Sequence, residues 1–214
     1  MHRTMADGTP PDRTPPNGAL PDRAPADGAL PGPPVPVLTP PGPTLPGLTL
    51  AGVDAIAAEA HAGQVDRIGV PYVEHVRAVA RGLAPFGTGM QMAGLLHDVL
   101  EDTALRASDL RAAGGPAAVV DVVERVSNRA GESYQDMVRS VAGHHSACLL
   151  KIADNAHNSD PARTAQLPPE QRARLAVKYA DARALLWPAV AAEDVAAILR
   201  TVNPGLLAEL EARR

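Results

Sequence analysis

Cysteine occurs once in these 214 residues, phenylalanine and tryptophan once each, and tyrosine three times. One cysteine, Cys148, allows no internal disulfide and no thiolate-rich metal site. With aromatics at 2%, the core must come from Ala, Leu and Val, which suits close helix packing better than a sheet. Period-2 alternation is nowhere convincing. No stretch reaches the roughly 18 uncharged apolar residues of a membrane span. The opening MHRTMADG lacks the apolar region of a secretory signal, so a cytoplasmic location is expected. Positive charge is not in excess either. The net charge is −4, which argues against a nucleic-acid-binding surface. Neither a nucleic acid nor a membrane is therefore expected as a partner.

Proline, by contrast, is abundant and unevenly placed. Fourteen of the 22 prolines fall within residues 1–48. PDRTPPNGAL (11–20) is followed at once by PDRAPADGAL (21–30). The two copies have no apolar faces to stack, so a solenoid is excluded. Residues 1–48 read as a disordered, partly polyproline II tail. Residues 49–214 are rich in Ala, Val and Leu and long enough for a full core.

Helical signals dominate this second part. Helices are expected over 50–64, 73–84, 90–102, 116–127, 146–158 and 168–190, the last with a kink at Pro188. Ser108 and Ser133 read as N-caps, and a short terminal helix is expected from about Pro204. RIGVPY (67–72) must turn, because Gly69 and Pro71 break a helix. The expectation is an all-α bundle of about eight to ten helices.

Within LLHDVLEDT (95–103), one His and three carboxylates lie within six residues, framed by Leu and Val. Charge buried at that density needs compensation. Read as a helix, His97 shares a face with Glu101, and Asp98 with Asp102. A divalent cation is the natural compensation, and His with Asp favours an N/O site for Mn, Fe, Zn or Mg. His75, in PYVEHVRAVA, and Asp154, in LLKIADNAHN, complete a set on three helices with open positions for water and substrate. Glu101 and Asp102 are then left as a general acid/base pair. Each residue alone has a plainer reading: a surface His–Asp hydrogen bond, an Asp154–Lys151 ion pair, a satisfied core histidine at 75. His157 competes as a ligand, and His61 has a structural role.

HAGQVDRIGVPYVEH (61–75), LLHDVLEDT (95–103), VSNRAGESY (126–134) and KIADNAHNSD (151–160) together resemble the HD-domain hydrolases. The resemblance is to the hydrolase half of the RelA/SpoT homologues and to the small alarmone hydrolases, over roughly residues 51–190. It implies an all-α HD domain holding one Mn²⁺-type ion on His75, His97, Asp98 and Asp154. It implies that Glu101 and Asp102 activate water against the 3′-pyrophosphate of (p)ppGpp or a similar alarmone. Asn158 would contact the nucleotide sugar, Arg67 the base or a phosphate, and Tyr72 would line the pocket or pack beneath the turn. Three positions depart from the resemblance. Asp66-Arg67 stands where two basic residues are usual, and Asp66 is expected to repel phosphate. Asn128 stands where Lys is common, with Arg129 as its substitute. SDPART follows Asn158 in place of Met-Arg-Thr. Guanine and adenine alarmones both remain open, as do a nucleotidase of the same scaffold and a non-catalytic nucleotide sensor.

Overall fold

Thr49 sets the start of the first helix. In the computed structural model, which describes residues 48–129 and 131–213, its hydroxyl accepts from Gly52 N at 3.1 Å. That satisfies one of the donors every helix leaves open at its N-terminus. Helices α1 (Leu50–Ala60), α2 (Val73–Gly82), α3 (Thr88–Leu96) and α4 (Val99–Asp102) follow in order. Then come α5 (Ala107–Ala112), α6 (Ala117–Val126), α7 (Tyr134–Ala142) and α8 (His145–Asn158). The chain continues with α9 (Pro161–Thr164), α10 (Pro169–Leu186), α11 (Ala192–Val202) and α12 (Leu207–Ala212). Eight of these have nine residues or more, so the expected all-α bundle is the observed one. Among the described residues the only β contact is an isolated antiparallel bridge between Val65 and Pro71. The tail reading for 1–48 lies outside the described residues, apart from Leu48, which packs against the core.

α8 is the axis of the molecule. Every residue from Ala147 to Ala156 is buried, and α2, α6, α7, α10 and α11 pack around it. Burying Leu149, Leu150 and Ile152 contributes roughly 1.5–3 kcal/mol apiece. That offsets the cost of carrying Lys151, Asp154 and Asn155 into the same interior. α2 and α3 run against each other at Gly94, where an added Cβ would stand 2.8 Å from Ala80 Cα. Only glycine permits that approach, and it sets the helix of His75 beside the segment of His97.

Several boundaries differ from the sequence reading. Ser133 caps α7 as expected, accepting from Asp136 N at 3.0 Å. Ser108 does not cap α5. The helix begins one residue earlier, and Asp109 reaches back to Arg106 N at 2.8 Å. The helix expected over 90–102 is interrupted at His97–Asp98, where Asp98 has φ −101° and ψ −4°. The helix expected over 168–190 with a kink at Pro188 instead ends at Leu186, and Pro188 lies in a separate 3₁₀ turn, Trp187–Ala189. Two helices went unread. α11 places Val195, Ile198, Leu199 and Val202 in the core, and α9 starts at Asp160, whose carboxylate accepts from Ala162 N at 2.8 Å.

Candidate metal centre

The interruption at His97–Asp98 explains how two consecutive residues serve one point. Neighbours on a regular helix stand about 100° apart and do not face each other. With the helix opened at Asp98, His97 Nε2 and Asp98 Oδ2 come within 2.9 Å. His75, in the first turn of α2, brings its Nε2 to 3.5 Å from the same Asp98 oxygen and 3.4 Å from Asp154 Oδ1. Asp154 Oδ1 lies 3.9 Å from His97 Nε2. Ligand atoms of His75, His97 and Asp154 all lie within 4.8 Å of one another. The four residues expected to hold a metal therefore converge.

Each is aimed by a second contact. His97 Nδ1 donates to Gly94 O at 2.8 Å, which leaves Nε2 to face the cluster. The Tyr72 hydroxyl donates to Asp98 Oδ2 at 2.6 Å. Asn158 donates from Nδ2 to Asp154 Oδ1 at 2.6 Å, and Lys151 Nζ lies 2.8 Å from Asp154 Oδ2. The buried Nε2 atoms of His75 and His97 have no hydrogen-bond partner. Orphaned imidazole nitrogens beside two carboxylates are the donor set of an N/O divalent-cation site. The residues present fit such an ion.

Charge at the centre is balanced within the protein. Burial alone would raise the Asp154 carboxyl, but Lys151 and His75 outweigh it and hold it far below the usual range. Burial likewise opposes ionisation of Asp98, and His97 and His75 reverse it. Burial pulls His75 down, yet the neighbouring Asp154 and Asp98 carboxylates lift it to about 9. His157 goes the other way: burial, then His75 and Arg163, push it down to about 2, so it is neutral.

Glu101 sits beside this centre. The residue as a whole is exposed, but its Oε2 accepts from Asn128 N at 3.2 Å. Lost hydration raises its carboxyl, Lys151 opposes the shift, and the Asp98 charge adds to it. Asp102 is tied through its carbonyl, which accepts from Gln64 Nε2 at 3.0 Å. Gln64 in turn meets His61 Nδ1 at 2.9 Å, so the buried His61 braces the approach of α1 to α4.

A cleft adjoins the centre, lined by Asp66, Arg67, Asn158, Arg163, Leu175 and Tyr179 among others. Arg67 and Asn158 are thus brought together. Tyr72 is 4% exposed, with its hydroxyl on Asp98. Arg129 lies in a different, open groove with Leu100, Glu124 and Arg125. Asp66 does not face the cleft as a free anion. Its Oδ1 accepts from Ile68 N at 3.0 Å and Val70 N at 2.9 Å, and its Oδ2 lies 3.1 Å from Arg163 Nη2. The expected repulsion of phosphate is therefore cancelled by a partner guanidinium. Arg163 itself went unread, because its contacts to Asp66 and His75 span 97 and 88 residues. Asp160-Pro161 just before it opens the short helix α9, which puts Arg163 near the centre.

No family model matches the chain. It is 35% identical over 131 residues to a probable GTP pyrophosphokinase of Mycobacterium leprae, covering 56% of this chain and 16% of that protein. It is 34% identical over 135 residues to the bifunctional (p)ppGpp synthase/hydrolase SpoT of Escherichia coli, covering 56% of this chain and 19% of that protein. The chain thus spans less than a fifth of the length of these curated relatives. A solved structure of a metazoan SpoT ortholog that hydrolyzes ppGpp superposes with a TM-score of 0.60 at 26% identity. That match covers 74% of this chain and 97% of the other. In its motifs and its fold the chain is thus similar to the SpoT-type proteins just named.

Proposed function

We propose that this chain is a metal-dependent hydrolase that removes the 3′-pyrophosphate of an alarmone nucleotide such as (p)ppGpp or (p)ppApp, acting in the cytoplasm. The observation that carries the reading is the convergence of two orphaned imidazole Nε2 atoms and two carboxylates at one buried point. The relatives support the substrate class. One, from Haemophilus influenzae, is a guanosine-3′,5′-bis(diphosphate) 3′-pyrophosphohydrolase, 34% identical over 135 residues.

His75, His97, Asp98 and Asp154 hold the ion, assigned here as Mn²⁺. A bound divalent cation supplies positive charge against the phosphoryl oxygens and Lewis acidity toward water. Glu101 and Asp102 position the attacking water and take its proton. Water oxygen bonds to phosphorus, the bond from phosphorus to the 3′-oxygen breaks, and that oxygen recovers a proton from the carboxyl pair. Products are the nucleotide and pyrophosphate. A raised Glu101 carboxyl suits this exchange, since a general acid/base works best with a pKa nearer the working pH. Arg67 and Asn158 receive the nucleoside in the adjoining cleft. Tyr72 lines the pocket with its hydroxyl on Asp98, and Arg129 meets phosphate from its own groove.

The test is product release from ppGpp, pppGpp, ppApp and ordinary mono- and triphosphates by Mn²⁺-loaded protein, with Asp98→Ala as control. Pyrophosphate from a 3′-pyrophosphorylated nucleotide is expected. Orthophosphate from mononucleotides alone would make the chain a nucleotidase. No product with metal bound would leave a nucleotide sensor.

A further inference from the structure

A guanidinium is packed behind a residue that binds a cation. Arg163 Nη1 lies 3.0 Å from His75 Nδ1 and touches His157 Nδ1. His157 Nδ1 and His75 Nδ1 are 2.7 Å apart. Three nitrogens meeting at hydrogen-bond distance require an acceptor among them, and an arginine only donates. Were His75 the acceptor, its proton would sit on Nε2, facing Asp98 and Asp154, and that nitrogen could bind no ion. With His157 Nδ1 as the acceptor, its one lone pair is shared between the N–H groups of His75 Nδ1 and Arg163 Nη1, and His75 Nε2 is left to face the cluster.

Asp66 completes the arrangement. One oxygen closes the loop by accepting from Ile68 N and Val70 N, and the other pairs with Arg163. The pair is well shielded, at 14% and 5% side-chain exposure for Arg163 and Asp66. That carboxylate offsets part of the positive charge placed behind His75.

We propose that Asp66, Arg163 and His157 form a positioning chain that fixes the tautomer of His75, holding its proton on Nδ1 and its lone pair on Nε2. The proposal rests on the metal-centre reading above, and its test separates the two. Long-range ¹H–¹⁵N NMR of the metal-free full chain reads the tautomers directly. His157 is expected to carry its proton on Nε2 alone; a proton on its Nδ1 overturns the chain, whatever the protein hydrolyses.

Mn²⁺ titration calorimetry supplies the second readout. Residues that orient metal ligands typically change affinity by about 10–100-fold when removed. His157→Leu should weaken Mn²⁺ binding at least tenfold by that scale, and His157→Asn, whose amide oxygen can take the place of Nδ1, should recover most of it. Asp66→Asn keeps the acceptor for the loop but deletes the charge. It should also weaken binding by about tenfold, and Asp66→Asn/Arg163→Gln should restore it. Unchanged affinity in a folded His157→Leu, or in Asp66→Asn, overturns the proposal. A wild-type chain that binds no Mn²⁺ overturns the metal-centre reading, and the tautomer of His157 still decides the positioning chain.

Discussion

The Tyr72 hydroxyl donates to Asp98 Oδ2 at 2.6 Å, across 26 residues of sequence. That oxygen also lies 3.5 Å from His75 Nε2 and 2.9 Å from His97 Nε2. A turn residue thus holds the Asp98 carboxylate in place. Tyr72→Phe keeps the buried ring and deletes this contact. Mn²⁺ affinity by calorimetry should fall about tenfold, with the circular dichroism spectrum unchanged. Wild-type affinity would mean the two histidines orient Asp98 by themselves.

Lys151 and Asp154 are both buried on α8, at 2.8 Å. Removing one partner of a buried pair leaves an uncompensated charge, a loss of about 3–5 kcal/mol. Lys151→Met should therefore destabilise the metal-free protein by about that much in urea unfolding. Mn²⁺ should narrow the gap from wild type, because a cation at the centre neutralises the same carboxylate. A gap unaffected by Mn²⁺ would place the ion away from Asp154.

Glu101→Gln should bind Mn²⁺ like wild type and lose turnover by at least about 100-fold. Loss of metal in this variant would make Glu101 a ligand. The same substitution carries a pH signature. Glu101 is raised above its ordinary 4.5 in the folded chain, chiefly by burial. Its contribution to stability is present below that value and lost as pH rises through the folded pKa. Gln does not titrate, so Glu101→Gln should be the more heat-stable at neutral pH. The difference should shrink as the pH is lowered below 4.5. Thermal melts across pH measure it, and an advantage that persists in acid would refute the shift.

Deleting residues 1–47 should leave Mn²⁺ affinity and kcat within about twofold of the full chain, since Leu48 is retained and packs against the core. A collapse of kcat would give the Pro-rich segment a part in catalysis.

The four converging residues were legible because each stands out against its own surroundings. His75, His97-Asp98 and Asp154 are polar groups in apolar helical stretches, and only a shared point in space explains all of them. The long helices were legible for the related reason that apolar spacing fixes their buried faces. The break at Asp98 was not, because HDVLED has helical spacing and its opening depends on what the two side chains meet. Asp66 was misjudged from charge alone. Its partners are two amides of its own turn and an arginine 97 positions away, and only folding brings that arginine near. α9 has four residues, too few for periodicity to register.

α8 is packed on every side, and Asp154 and Lys151 are part of its filling. Its amides should therefore be among the slowest in the protein to exchange with deuterium, opening only when the whole bundle does. A residue in a surface loop would lose its geometry in every small fluctuation. Asp154 keeps its geometry for the lifetime of the native state, so the site ages and fails with the fold as a whole.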